Sequence, residues 1–142
     1  MFMPKEPPEL LQSAGYLLAR VGSESRRRFV EALGTQDLTL AAYSVLMILG
    51  SAGATTQRML ADAVGVDPRN LVPILDDLET RGLVVRRDHP VDRRRHAVRL
   101  TPAGKAKLAR LGEVGVAAEL ELLRPLDAAE RKQLQGLLRK LV

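Results

Sequence analysis

At Gly82 the apolar residues change from the helical period to the strand period, and that switch restricts this chain more than any other feature. Before it, apolar positions recur three and four residues apart from Leu10 to Leu78. After it, LVVRR (83–87) and HAVRL (96–100) are short β-branched runs flanking DHPVDRRR, which reads as a hairpin with a long tip. Helical spacing returns from Thr101. The expected fold is mainly α with a small β-hairpin, in the order α-α-α-α-β-β-α-α.

Helix boundaries follow from cap chemistry. Leu10/Leu11, Ala14, Leu17/Leu18, Val21, Phe29/Val30 and Leu33 predict a first helix over 9–33 that stops at Gly34. TLAAYSVLMILG (39–50) predicts a buried helix from a Thr39 cap to Gly50. TTQRMLADAVG (55–65) predicts a short one that Thr55 or Thr56 caps and Gly65 ends. Asp67 then caps a helix with Pro68 at its first position, where a missing N–H costs nothing; Leu71, Ile74/Leu75 and Leu78 are its buried stripe. Thr101-Pro102 repeats the signal and opens a long helix with Gly112 and Gly115 weakening its middle, ended or bent at Pro125. Asp127 caps a last helix with an apolar stripe of Leu134, Leu137/Leu138 and Leu141.

Charge supplies the first functional signal. The 142 residues carry 22 Lys and Arg against 17 Asp and Glu, a formal net charge of +5. Between Arg81 and Arg99 stand Arg81, Arg86, Arg87, Arg93, Arg94, Arg95 and Arg99 against Asp88 and Asp92 alone, so the whole excess lies there. A solvated charged face would not require such one-sided concentration, and a polyanionic partner is the better reading. Other classes recede. Cysteine is absent, which removes disulfides and thiolate catalysis. No P-loop, G-x-S-x-G or suggestive carboxylate pair is present, so no enzyme is expected. His89 and His96 are the only histidines, too few for a metal centre, and neither metal nor cofactor is expected. The longest purely apolar run, Val45 to Leu49, is too short to span a bilayer; a cytoplasmic protein without a membrane partner is expected.

Helix, short turn, helix and basic hairpin form the winged helix-turn-helix pattern. Leu60, Val64, Val66, Leu71 and Ile74 are apolar where two crossing helices bury each other, Ala61 is small at the closest approach, and Gly65 suits a left-handed turn. On Leu60-Ala61, the stretch Val66–Arg86 with its LDDLETRGLV, and above all VDRRRHAVRLTPAG (91–104), the chain resembles the MarR family of bacterial transcription regulators over almost its whole length. Asp92, Arg94, Leu100-Thr101 and Gly104 fall on the family's wing pattern.

The resemblance implies one domain over 1–142, a DNA-binding winged helix-turn-helix over 38–100, and dimerisation helices over 8–33 and 102–142. It implies a homodimer that binds double-stranded DNA at a pseudo-palindromic site, acts as a repressor, and is released or modulated by a small-molecule effector. The helix opened by Asp67 would enter the major groove with Arg69, Asn70 and Pro73. Val72 and Pro73 depart from the hydroxyl and basic residues frequent there in the family. In the wing, Arg94 would enter the minor groove, Asp92 would hold its guanidinium by a charged hydrogen bond, and Arg93 and Arg95 would reach phosphates. Thr56, Arg58 and Arg87 are candidate backbone contacts. Tyr16, Tyr43 and Met47 are candidates to line an effector cavity between the first two helices, against plain core packing. Arg26, Arg27 and Arg28 read as a solvated helix face. The competing reading is a winged-helix protein–protein module without specific DNA binding; the charge asymmetry argues against it.

Overall fold

The computed structural model describes residues 6–88 and 96–142, and it divides into two compact units. One holds residues 33–114; the other combines the chain up to Ala32 with Gly115 onward. After a single 3-10 turn at Leu10–Gln12, the elements are α1 (Ala14–Gly34), α2 (Leu40–Ala52), β1 (Thr55–Thr56), α3 (Gln57–Val64), α4 (Pro68–Thr80), β2 (Val84–Asp88), β3 (His96–Leu100), α5 (Pro102–Leu122) and α6 (Ala128–Arg139).

In the 33–114 unit the cap residues do what their chemistry suggests. The Thr39 hydroxyl accepts from the Ala42 N–H at 3.1 Å and that of Thr56 from the Met59 N–H at 3.2 Å. The Asp67 carboxylate accepts from the Arg69 N–H at 2.8 Å. Gly65 ends α3 at φ 80°, a left-handed conformation that a side chain would strain, and from there the chain turns into α4. Leu46, Leu60, Ala61, Leu71, Leu75 and Leu78 are fully shielded where α2, α3 and α4 meet. Each large side chain so buried contributes roughly 1.5–3 kcal/mol, which makes this cluster the unit's core.

β2 and β3 pair antiparallel from Val84↔Leu100 to Asp88↔His96. β1 adds to the other edge of β3, Thr55 against Val98 and Thr56 against Ala97, giving the order β1-β3-β2. Val84 and Val98 point into the core.

Three boundaries differ from the sequence reading. The first helix breaks at Ser13, whose extended backbone and hydroxyl, accepting from the Tyr16 N–H at 3.3 Å, restart it as α1. α2 runs past Gly50 and stops at Gly53, at φ 73°. Gly50 lacks a side chain for another reason: a Cβ there would meet the Leu108 side chain of α5. The third difference is β1 itself, two residues long and invisible to a periodicity argument. Gly112 and Gly115 leave α5 continuous, and Gly115 accommodates the Phe29 ring.

The base of the hairpin is a backbone junction. Thr101 N–H donates to the Leu83 carbonyl at 3.1 Å, and the Thr101 hydroxyl donates to the Gly82 carbonyl while accepting from the Gly104 N–H at 3.0 Å. Gly104 is buried, and a Cβ on it would overlap the Leu83 carbonyl oxygen. The end of α4, both strand ends and the start of α5 are thereby joined.

In the other unit, Asp127 and Glu130 form a reciprocal capping box at 2.8 Å in each direction. No described residue of this unit is buried, and Leu17, Leu18, Val21, Val116, Leu120, Leu137 and Leu141 are exposed.

Gly104→Ala is expected to destabilise the protein by more than about 2 kcal/mol, because the obstructing atom is backbone and cannot rotate away. Urea denaturation checks this; a change within error would show that the junction yields.

Candidate nucleic-acid interface

The start of α4 is an exposed, polar helix end. Asp67 caps it through Oδ1 and also holds the guanidinium of Arg69, with Nε to Oδ1 and Nη2 to Oδ2 both at 3.2 Å. Arg69 is 90% exposed even so, which leaves its remaining donors facing outward. This pairing, first through the guanidinium and then through the backbone N–H, holds the Asp67 carboxyl below its ordinary range. Asn70 is exposed beside it, its N–H donating to the Asp67 carbonyl at 2.9 Å. Val72 and Pro73 are exposed a turn further on, and α4 runs through Pro73 without interruption. The outward surface of the first turns therefore offers a cation, an amide and two apolar groups.

Further along α4, Asp76 and Glu79 would repel phosphate. Both are taken up by Arg86 of β2: Nη2 meets Asp76 Oδ1 at 2.6 Å, Nε meets Glu79 Oε2 at 3.1 Å, and the backbone N–H of Arg86 donates to the same oxygen at 3.0 Å. β2 is an edge strand, and Glu79 occupies its outward N–H at this point. The Arg86 hydrogen bonds hold the Glu79 carboxyl below its usual range. Arg81 is also used internally, donating to the Asp37 carbonyl at 2.8 Å and the Gln36 carbonyl at 3.2 Å. Of the described arginines between 81 and 99, these two are engaged within the fold.

The other sequence candidates lie as follows. Thr56 is half-buried and its hydroxyl accepts the α3 cap bond; Arg58 is exposed in the first turn of α3, and Arg87 is exposed on β2. Asp92, Arg93, Arg94 and Arg95 lie outside the described residues, as does His89. Tyr43 is half-buried and Met47 exposed, one turn apart on α2. Tyr16, in the other unit, has its hydroxyl donating to Glu6 Oε1 at 2.8 Å. Arg27 and Arg28 both pair with Glu24, at 2.8 and 2.7 Å, and hold its carboxyl down to about 2. Sequence reasoning missed the grip of Asp67 on Arg69. The signal was present: Asp67 and Arg69 have the same D-x-R spacing as Asp92 and Arg94. Among the described residues no cluster of three or more His, Cys, Asp or Glu could hold a metal, and no helix is long and apolar enough to cross a membrane.

Two helices joined by a left-handed glycine turn, the second with a polar exposed start, followed by a strand pair on the same core, define a winged helix-turn-helix protein. The sequence pattern of the MarR family matches residues 38–96. The multiple antibiotic resistance protein MarR of Escherichia coli K12 is 33% identical over 129 residues, covering 90% of each chain. Its ligand-free crystal structure superposes with a TM-score of 0.82, at 31% identity, over 92% of this chain and 96% of that one. The transcriptional repressor CouR, solved bound to a 23-mer DNA duplex, gives a TM-score of 0.74 at 33% identity over 98% and 99% of the two chains. The Mycobacterium tuberculosis family protein Rv2887, solved in complex with DNA, gives 0.76 at 30% identity over 91% and 97%. The chain belongs to the MarR family of winged helix-turn-helix transcriptional regulators, which are not enzymes.

Arg86→Ala is expected to lower stability near neutral pH by freeing β2 from α4 and leaving two carboxylates adjacent. Because pairing depresses the Glu79 pKa, the stabilisation is fully present above the ordinary carboxylate pKa and is lost as pH falls through the lowered value. Urea denaturation of both proteins across that range checks it: their difference should shrink on acidification, and a pH-independent difference would contradict the assignment.

Proposed function

We propose that this protein is a homodimeric repressor that binds a pseudo-palindromic duplex site through α4 and the wing and is released by a small effector. The observation that carries the reading is the Asp67-held Arg69 beside Asn70 at the exposed start of α4. An arginine fork and an amide there suit guanine and adenine edges in the major groove. The DNA-bound relatives CouR and Rv2887 share this fold at 33% and 30% identity, which supports the reading. Half-site centres are then about one helical turn apart.

In the wing, Arg94 enters the minor groove, Asp92 aims it, and Arg93 and Arg95 reach phosphates with Thr56, Arg58 and Arg87. Asp67 and Arg69 supply an example of such aiming at the same spacing within this chain. The exposed leucines and valines of α1, α5 and α6, in a unit with no buried residue among those described, support dimerisation through these helices. Tyr43 and Met47 of α2, half-buried and 46% exposed, are the residues we propose for effector contact, and Tyr16 of α1 is a further candidate.

Duplex binding should weaken steeply with salt. About 6–10 phosphates neutralised per dimer correspond to a log–log slope of roughly −5 to −9. A flat response, or no retention of duplex at low salt, would favour a protein–protein module instead. Selection of bound genomic fragments then supplies the operator.

Arg94→Ala should cost about 1–3 kcal/mol of DNA binding. Asp92→Ala separates aiming from bare electrostatics by its sign, since removing a negative charge near phosphate would by itself tighten binding. Aiming requires weaker binding, and in the double variant the Asp92 penalty should disappear. Fluorescence anisotropy with a labelled site measures all three.

A further inference from the structure

The outer face of the wing sheet carries, beside Arg87, a cation that the proposed DNA contacts leave unused, Arg99. Val84, Arg86 and Val98 face the core and α4, so the alternate residues Val85, Arg87 and Arg99 face the opposite way, with Val85 directly across from Arg99. Where this face meets the start of α5 there is an open concavity of about 450 Å³. Its lining includes Val85, Leu100 and Pro102, together with Arg87, Arg99 and Lys105. None of these three cations has a carboxylate partner among the described residues, whereas Arg81 and Arg86 nearby in sequence are both bound.

Three like charges around one hollow repel one another, and a bound anion would relieve that repulsion. The DNA backbone is a poor candidate. The hollow lies at the base of the hairpin, and β3 alone spans roughly 13 Å from His96 at the tip end to Leu100, at about 3.3 Å per residue. A tip seated in a minor groove holds the base away from the same groove. Nor does a bare inorganic anion account for the apolar lining, because a strongly hydrated ion gains nothing from Val85 and Pro102. The Thr101 hydroxyl, also in the lining, is already committed to Gly82 and Gly104. Recognition is left to charge and apolar contact.

We propose that this hollow binds a small organic anion with an apolar body, of the carboxylate or phosphate-monoester type, held by Arg99 and Lys105 against Val85 and Pro102. The site lies wholly within the 33–114 unit and is distinct from the Tyr43 and Met47 surface of α2. It does not depend on the DNA-binding reading, because the anion would bind the free protein. Its position on the strands that carry the wing makes it a place from which a metabolite could act on that wing.

The test is calorimetric titration of the full-length protein, without DNA and at low ionic strength, with phenyl phosphate, phthalate and inorganic phosphate. Phenyl phosphate or phthalate should bind at least about ten-fold more tightly than inorganic phosphate, and the tighter of the two distinguishes a phosphate ester from a carboxylate ligand. Arg99→Gln and Lys105→Gln, neither of which is placed at the DNA surface, should each weaken the tighter probe by about five-fold or more. The assigned methyl resonances of Val85 should shift on binding. Lys105→Gln is exposed on α5 and supplies the comparison if Arg99→Gln disturbs β3. No binding of either organic anion, equal binding of inorganic phosphate, or unchanged affinity in Lys105→Gln would overturn the proposal.

Discussion

The carbonyl of Leu83 rests where any side chain on residue 104 would have to be, and the placement of the wing depends on that contact. Only glycine allows α5 to start so close to β2. Once it does, Thr101 can reach the Gly82 carbonyl and cap α5 with the same hydroxyl, while its N–H closes onto Leu83. The strands leave this junction in a direction set relative to α4, and Arg86 fastens β2 to α4 again further out, through Asp76 and Glu79. Two fixed points along one strand define a line. The strand pair is therefore oriented relative to α4 by the hydrogen-bonded junction of Gly82, Leu83, Thr101 and Gly104 at one end and by a charged clasp partway along.

That clasp also changes how the net charge should be understood. Counting residues puts the whole excess of cation between Arg81 and Arg99, yet two of those arginines are spent on carbonyls and carboxylates of the fold. Arg86 removes the repulsion that Asp76 and Glu79 would otherwise direct at a phosphate backbone. The remaining cations divide between the exposed outer face of the sheet and the run of arginines that follows Asp88 in sequence. Positive charge in this protein thus has several separable jobs, and proximity in sequence does not say which arginine does which.

Elements governed by local chemistry are legible in the order of residues alone. Thr39, Asp67 and Asp127 cap the helices expected of them, and Gly65 takes the left-handed turn. The wing motif is equally visible, although the reason for its Gly104 is not, because Leu83 approaches from another element. Gly50 misleads for the same reason: a glycine that admits Leu108 looks, in one dimension, like a glycine that ends a helix. Ser13 breaks the first helix because a side-chain cap competes with an apolar period that continues across it. In the candidate site, Arg69 and Asn70 follow from position along α4, whereas the grip of Asp67 on Arg69 and of Arg86 on α4 requires knowing which side chains meet.

β1 carries a consequence for the order in which the molecule assembles. Thr55 and Thr56 are too few to form a strand alone, and their partners Val98 and Ala97 lie beyond α3, α4 and β2. Closing so long a loop for two residues of pairing is unfavourable until β3 is already held in place by β2. The hairpin must therefore precede β1, and the helix-turn-helix, built from neighbouring contacts, can precede both. The segment entering α3 is consequently secured to the sheet only through a strand that lies far beyond it in sequence.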